Sequence, residues 1–385
     1  MRLIYDISIW SKIHSVILCN FRTMKLYGIF IWLAVWFTGI FALRAQRHFW
    51  RIQASYGFSA AHHQNMYGLT GRLTRGFSFY YGKHFRRGYY EKLWNYPDLG
   101  LYVQYYDLGD RRLGNITSLW VSGSFYLNRR SSRHHLLLDL SEGFGYVSNP
   151  YDKSRNPQNM ILGSHFTSTM SVAMRYRFDW MHWSLETAVG IRHFSNGNFK
   201  APNAGINCPE ISVGIIPRHR PNDYEPSAPD HHPFHPSRYW RIFFRTGLNE
   251  TDVPGMGKFP FFIPGVEYVR HFHPKHAWRA GAELMINYSL KEWIAYQQIA
   301  YNAYPSVKPS FWRAGVFGGH LFDFGMLGIS TDFGVYVYNP SHFVAPWYFR
   351  LGTQLRLGRK WFLTYSVKLH YFMAEELEWT LHYRL

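Results

Sequence analysis

The chain has 385 residues, enough for one large domain or two ordinary ones. Aromatic residues make up 19% of it and charged residues only 17%, and 32 residues are glycine. This composition is typical of β-structure with tight turns. A mean hydropathy of −0.27 excludes a bundle of membrane-spanning helices. It does not exclude a membrane β-barrel, because a barrel wall alternates polar and apolar residues.

The formal net charge of +18 indicates an anionic partner. Two classes of partner fit so basic a chain, namely nucleic acid and an anionic lipid surface such as the phosphates of lipopolysaccharide. The basic residues are spread along the chain and no nucleic-acid recognition fold is visible. The strand pattern described below therefore favours the lipid surface over nucleic acid.

The first 45 residues have the pattern of a secretory signal peptide. Residues 26–43 form one apolar run, basic residues precede it, and the small residue Ala45 follows at a plausible cleavage site. Met24 is an alternative start, so residues 1–23 are either a misassigned upstream extension or a long N-terminal region of the signal peptide. The competing interpretation is an uncleaved membrane anchor. Cys208 is the only cysteine beyond this segment, so no intrachain disulfide is expected.

Residues 46–385 read as a succession of short amphipathic strands. In 363–369, for example, four apolar residues (Leu363, Tyr365, Val367, Leu369) alternate with three polar ones (Thr364, Ser366, Lys368). Segments 326–338 and 347–357 alternate in the same way, and we expect them to form a hairpin. A soluble β-sandwich has the same period. The secretory signal, aromatic residues at strand ends and an amphipathic last strand favour an all-β, transmembrane, antiparallel outer-membrane barrel of about 14–16 strands.

The connections between these strands fall into two groups when they are assigned alternately to two ends of the barrel. Short turns occur at one end and longer loops at the other, as expected for the periplasmic and extracellular sides. The proline-rich connection 217–238 breaks this rule, because it is long and yet falls on the short-turn side. It contains His231, His232 and His235, which could bind a metal ion. A flexible loop is the favoured interpretation, since no acidic or cysteine ligand has suitable spacing.

The segment 190–210, GIRHFSNGNFKAPNAGINCPE, carries polar residues where a barrel strand should be apolar. The odd-numbered residues of the strand before it are apolar and therefore face lipid. Continuing that strand places His193 and Ser195 on the lipid-facing side. The parity of the return strand places Asn207 on the same outer face and Glu210 on the inner face.

These residues have the types needed for an activated serine nucleophile. His193 and Ser195 are two apart on a strand and are neighbours on one face, so the imidazole could take the hydroxyl proton. Asn207 could accept a hydrogen bond from the other ring nitrogen and orient the ring. Asn196 and Gly197 could supply oxyanion-hole donors. We therefore predict a catalytic group of His193, Ser195 and Asn207.

The sequence HFSNGNFKAPNAGIN resembles the active-site segment of the lipid A 3-O-deacylase (PagL) family, which is also described as acyloxyacyl hydrolases. The matching positions are His193, Ser195, Asn196, Pro202, Asn203 and Gly205. The last segment, KLHYFMAEELEWTLHYRL, is similar to the C-terminal strands of the larger members. The resemblance implies that His193 is the general base, Ser195 the nucleophile and Asn196 an oxyanion donor.

This chain departs from the family at one position that matters for chemistry. The best-known members have a glutamate where this chain has Asn207. A carboxylate stabilises the imidazolium that forms during attack, whereas an amide only orients the ring. Glu210 is therefore an alternative third member of the catalytic group, provided that a bulge at Pro209 changes the register.

Two functions are compatible with these observations. The first is a serine esterase that removes an ester-linked acyl chain from lipid A, with Lys200 either holding a lipid A phosphate or simply solvated. The second is a non-catalytic porin or structural barrel. Its basic inner-wall residues would either line a water-filled lumen or belong to an interior plugged by paired charges (Arg350, Arg356, Lys368, Arg384). Both imply a Gram-negative outer membrane and the barrel-assembly machinery during biogenesis. We expect lipopolysaccharide as the partner, no nucleic acid, no metal and no cofactor.

Overall fold

The structure is a computed structural model, and it describes residues 48–62, 66–85, 88–217, 234–251, 253–303, 305–340, 345–371 and 373–385. The predicted signal peptide lies outside these residues. Sixteen β-strands and two helices make up the described part. No helix among the described residues is long and apolar enough to cross a membrane.

The first eight strands form one closed antiparallel barrel. They are β1 (His48–Phe58), β2 (Leu73–His84), β3 (Asp98–Asp107), β4 (Asn115–Tyr126), β5 (His134–Val147), β6 (Phe166–Trp180), β7 (Trp183–Ser195) and β8 (Ile206–Pro217). The barrel closes because β1 pairs with β8, where Ile52 lies beside Ile215 and Gly57 beside Glu210. A short helix, α1 (Tyr89–Leu93), lies between β2 and β3.

The last eight strands form a second closed antiparallel barrel. They are β9 (Arg238–Glu250), β10 (Lys258–His273), β11 (His276–Asn287), β12 (Trp312–Asp323), β13 (Leu327–Tyr338), β14 (Trp347–Leu357), β15 (Trp361–His370) and β16 (Met373–Arg384). Pairing of β16 with β9 closes it. Helix α2 (Tyr288–Tyr301) follows β11, and the side chain of Asn287 caps it by accepting from Ser289 N.

The alternation read from the sequence separates the outside of each barrel from its inside. On β15 the predicted inward residues Thr364, Ser366 and Lys368 are buried, while the apolar residues between them lie outward and are partly exposed. The predicted hairpin is present, because β13 pairs with β14 along nine residue pairs. The prediction of an antiparallel outer-membrane β-barrel is thus confirmed.

Paired charges fill the interiors of both barrels. In the first barrel, Arg175 forms ion pairs with Asp139 (2.5 Å) and Glu186 (2.9 Å). In the second, Arg350 pairs with Glu378 at 2.6 Å. Eight strands enclose only enough space for side chains. A cavity inside the first barrel has a volume of about 20 Å³, which is room for about one water molecule.

The sixteen strands agree with the predicted number, but they divide between two sheets and do not form one. The division explains the exceptional connection 217–238, which joins β8 of one closed barrel to β9 of the other. It is longer than a hairpin turn because β8 and β9 do not pair. His231 and His232 lie outside the described residues, and His235 lies three residues before the start of β9.

The two barrels contact each other through their outer faces. The ring of Phe144 on β5 lies 5.3 Å from Tyr365 on β15 and 6.3 Å from Trp379 on β16, measured between ring centroids. Part of the apolar outer surface of the first barrel is therefore covered by the second barrel. Elsewhere large apolar side chains remain exposed on the outside, as on β8, where Ile211 and Val213 are exposed.

Candidate active site

The predicted catalytic residues lie where β7 ends and β8 begins. Strand β7 carries exposed apolar residues on its outer side and buried polar residues, including Glu186 and Arg192, on its inner side. Strand geometry places His193 and Ser195 on the same side as the outer residues. Neither is fully exposed there, since His193 is half-buried and Ser195 is buried. Residues 196–205, here called the site loop, connect Ser195 to Ile206.

Asn207 contacts His193 directly. The two residues are cross-strand partners between β7 and β8, and His193 Nδ1 lies 2.7 Å from Asn207 Oδ1. Because an amide oxygen can only accept, Nδ1 carries the proton and Nε2 is left with a lone pair. No described residue forms a hydrogen bond with Nε2. The imidazole is therefore held in the tautomer that a general base requires.

A second histidine supports the orientation of the Asn207 amide. His62 Nε2 lies 2.9 Å from the Ala204 carbonyl oxygen, so this nitrogen donates. His62 Nδ1 then has a lone pair facing Asn207 Nδ2 at 3.4 Å. The amide nitrogen of Asn207 consequently points to His62 and its oxygen to His193. The sequence did not indicate a role for His62, because it lies between β1 and β2, far along the chain from the site loop.

Ser195 is bound by the site loop. Its Oγ accepts hydrogen bonds from Asn203 Nδ2 at 2.9 Å and from Gly197 N at 3.1 Å. Between the described residues there is no hydrogen bond from Ser195 to His193. The two side chains nevertheless flank the same glycine. A Cβ on Gly205 would lie 3.1 Å from His193 Cε1 and 3.3 Å from Ser195 Cβ.

The predicted oxyanion donors have distinct positions. The backbone N–H of Gly197 points to Ser195 Oγ, as above. The backbone N–H of Asn196 donates to Asn203 Oδ1 at 2.9 Å, and its buried side chain donates to Ser164 Oγ (3.0 Å) and Lys200 O (2.7 Å). Asn196 thus organises the loop with its side chain. The amide that faces Ser195 belongs to Asn203.

Asn203 is one of the positions that match the active-site segment of the family, but the sequence alone predicts no role for it. It lies eight residues after Ser195 in a loop without periodicity, so strand parity could not orient it. Only the closure of the site loop shows that its amide nitrogen reaches the serine oxygen. Loop closure also involves the first barrel, since Gly205 N donates to Ile161 O at 3.2 Å.

Glu210, the alternative third member, lies on the inner side of β8. Its carboxylate forms an ion pair with Arg192 at 2.5 Å inside the first barrel. Its cross-strand partner on β7 is Gly190, three residues before His193. Of the two candidates for the third position, Asn207 is the one that contacts the imidazole. In the described parts of the chain, no group of three or more His, Cys, Asp or Glu side chains is arranged to bind a metal ion.

Closed antiparallel sheets with an apolar exterior and a charged, filled interior define an outer-membrane β-barrel protein. This one has a polar cluster of His193, Ser195 and Asn207 at one rim. The family model "Lipid A 3-O-deacylase (PagL)" matches residues 75–215, and the model "Acyloxyacyl hydrolase, C-terminal domain" matches residues 238–385. The chain therefore belongs to the lipid A 3-O-deacylase (PagL) family, and its place is the outer membrane.

The two family models divide the chain as the two barrels do, between β8 and β9. The family assignment makes the protein a hydrolase of the lipid A deacylase type, with lipid A of lipopolysaccharide as its substrate class. The resemblance of the site segment to this family is thereby confirmed.

Solved structures of other outer-membrane barrels are similar to this chain at low identity. Neisserial surface protein A is 11% identical with a TM-score of 0.31, and the match covers 44% of this chain and 96% of that one. A triple mutant of the Rhodopseudomonas blastica porin is 9% identical with a TM-score of 0.19, covering 88% and 100%. The β domain of the Bordetella autotransporter BrkA is 10% identical with a TM-score of 0.21, covering 88% and 99%. No curated protein matches the sequence.

Proposed function

We propose that this protein is a serine esterase that removes an ester-linked acyl chain from lipid A in the outer leaflet. His193 is the general base, Ser195 the nucleophile and Asn207 the residue that orients the imidazole. The observation that carries the proposal is the hydrogen bond between His193 Nδ1 and Asn207 Oδ1, 2.7 Å long, beside Ser195. Insertion of both barrels by the barrel-assembly machinery is part of the same proposal.

The reaction proceeds in two steps. His193 Nε2 takes the proton of Ser195 Oγ as this oxygen attacks the ester carbonyl carbon. The tetrahedral intermediate collapses, the alcohol oxygen of the ester leaves with the proton from His193, and the acyl chain stays on Ser195. In the second step His193 takes a proton from water, which attacks the acyl-enzyme. The fatty acid is released and Ser195 recovers its proton.

Ser195 must turn before it can react. In the structure its Oγ accepts hydrogen bonds from Asn203 and Gly197. Rotation about the Cα–Cβ bond of Ser195 brings this oxygen toward His193 on the same face. Hydrogen bonds between catalytic groups are often long or absent without substrate. The two N–H groups that rotation frees, from Asn203 and Gly197, can then donate to the oxyanion. We infer that Asn203 joins Gly197 and Asn196 as a candidate oxyanion residue.

The surroundings of the site suit a lipid. Ile191 on β7 and Ile211 on β8 are exposed on the outer face next to the polar cluster. An acyl chain can lie along these side chains while its ester reaches Ser195. Lys200 in the site loop is partly exposed and is a candidate for holding a lipid A phosphate. The longer loops of such barrels lie on the extracellular side. They are therefore next to the outer leaflet, which contains lipopolysaccharide.

The alternative function, a porin or structural barrel, has less support. A porin needs a water-filled interior, whereas Arg350 and Lys368 are buried in ion pairs with Glu378 and Glu376. Eight-stranded barrels lack the diameter of porins. A pore also provides no reason for an oriented histidine beside a serine on the outer side of the barrel.

Mass spectrometry of lipid A from cells that express the protein tests the proposal. We expect the wild-type protein to produce lipid A that lacks one acyl chain, and Ser195→Ala and His193→Ala to abolish this change. Ser184→Ala is the matched control, because Ser184 is a buried serine of the same strand that faces inward. Heat-modifiable migration on gels reports folding of each variant. Unchanged deacylation by folded Ser195→Ala protein would refute the serine mechanism.

A further inference from the structure

The site loop of the first barrel is bound by the second barrel. Asn198 Nδ2 donates to the carbonyl oxygen of Ala374 on β16 at 2.8 Å. The Asn198 carbonyl in turn accepts from the backbone N–H of Glu250, at the end of β9, at 2.7 Å. Leu377 of β16 presses on Gly197, where a Cβ would lie only 2.2 Å from Leu377 Cγ. These contacts join the loop to two strands of the other barrel.

Glu250 is the centre of this contact. Its side chain is buried, with the residue 6% exposed. One carboxylate oxygen, Oε2, accepts from Ala201 N of the site loop at 2.8 Å. The other, Oε1, accepts from Gly255 N of its own barrel at 2.9 Å. A buried carboxylate that accepts two backbone N–H groups fixes the segments that carry them relative to each other.

Ala201, whose backbone N–H donates to Glu250, is close in sequence to the residues that organise the site loop and contact Ser195. The backbone carbonyl of Lys200, immediately before Ala201, accepts a hydrogen bond from the Asn196 side chain at 2.7 Å. Asn203, two residues after Ala201, donates to Ser195 Oγ. A shift of the Ala201 backbone therefore moves both the residue that organises the loop and the amide that faces the nucleophile. Displacements of about 1 Å can reduce a rate by about 10²-fold.

We propose that Glu250 is a positioning residue of the active site, and that the second barrel acts as the support that holds the site loop in its reactive conformation. This inference rests on the proposed function of Ser195. It assigns the second barrel a role in the reaction although His193, Ser195 and Asn207 all belong to the first. Lys258 of β10 adds to the same support, because its ammonium group lies 3.4 Å from the ring centroid of Phe199 in the loop.

Glu250→Gln in the full-length protein tests the proposal. Each carboxylate oxygen now faces an N–H group, so an amide would place its own N–H against one of them. We expect kcat for acyl release from lipid A to fall by about 10–100-fold, with KM changed by less than about threefold, because the perturbation affects orientation and not substrate binding. Glu250→Asp keeps two acceptor oxygens and should recover part of the loss.

The matched control is Glu267→Gln. Glu267 is a buried glutamate of the same barrel that pairs with Arg241, Arg279 and His382 and has no contact with the site loop. It should leave kcat per folded molecule unchanged. Hydrogen–deuterium exchange gives a readout independent of activity. Residues 196–205 should exchange faster in Glu250→Gln and at the wild-type rate in Glu267→Gln.

The possible outcomes separate the two proposals. Wild-type protein that releases no acyl chain would refute the proposed function, and the exchange rates would still decide whether Glu250 holds the loop. Active wild-type protein with normal kcat and normal exchange in Glu250→Gln would overturn the positioning role. Equal kcat losses per folded molecule in Glu250→Gln and Glu267→Gln would also overturn it, since the effect would then reflect barrel stability.

Discussion

Replacing Asn207 by aspartate puts a carboxylate where the amide oxygen now lies, 2.7 Å from His193 Nδ1. The two side chains have nearly the same shape, so the imidazole keeps its orientation and its tautomer. What changes is charge. During attack by Ser195 the imidazole becomes an imidazolium, and a carboxylate attracts it whereas an amide does not. We therefore expect Asn207→Asp to increase the rate of deacylation.

The size of the gain follows from the distance and the surroundings. Opposite unit charges about 4 Å apart attract each other by about 1 kcal/mol in water and about 4 kcal/mol at an effective dielectric constant of about 20. His193 is partly buried at a barrel rim, between these limits. A stabilisation of about 1–3 kcal/mol corresponds to a gain of about 5–150-fold in kcat/KM. The loss of about 10⁴ for the reverse change in a serine protease includes a wrong tautomer, which does not arise here.

The assay is acyl release from lipid A in mixed micelles, measured across the pH range in which histidine titrates. The carboxylate also stabilises the imidazolium of the free enzyme, and His193 must be neutral to accept a proton. The rise of kcat/KM with pH should therefore move to higher pH in Asn207→Asp, with the gain largest above that rise. Asn207→Leu is the control, because it has similar size without an acceptor and should lower the rate.

Two results would refute this reasoning. One is a rate that is the same in wild type, Asn207→Asp and Asn207→Leu, since Asn207 would then not act on His193. The other is loss of acyl release in folded Glu210→Gln protein, which would make Glu210 the third member of the catalytic group. We expect Glu210→Gln to weaken only the internal pairing with Arg192.

Three further variants examine the site loop. Asn203→Ala should lower kcat by about 10²–10³-fold, the typical effect of one oxyanion donor. A rate within about threefold of wild type in folded protein would contradict that role. Asn196→Ala should increase hydrogen–deuterium exchange of the site loop, because it removes a buried amide that donates to two acceptors. Gly205→Ala should reduce kcat strongly, because φ is +69° and a Cβ would lie 3.1 Å from His193 Cε1. Gly71→Ala, with φ +78° and open space around it, measures the backbone strain alone and should remain active.

Much of this architecture could be predicted from local pattern. The period of two in segments such as 363–369 orients each side chain in or out, because successive strand residues point to opposite faces. That rule alone placed Ser195 and His193 together on the outer side. It also placed Asn207 beside them and Glu210 inside, because β7 and β8 are consecutive strands joined by the site loop and pair as neighbours.

Alternation assigns a residue to a face but does not identify its neighbours across the sheet. The sequence therefore predicted a number of strands without showing that β8 pairs with β1, which closes the first barrel and leaves β9 to begin another. It could not orient Asn203, which lies in a loop with no period. It could not connect Glu250 to Ala201, 49 residues earlier in the chain. Such contacts depend on how two closed barrels pack, and only the tertiary structure decides that.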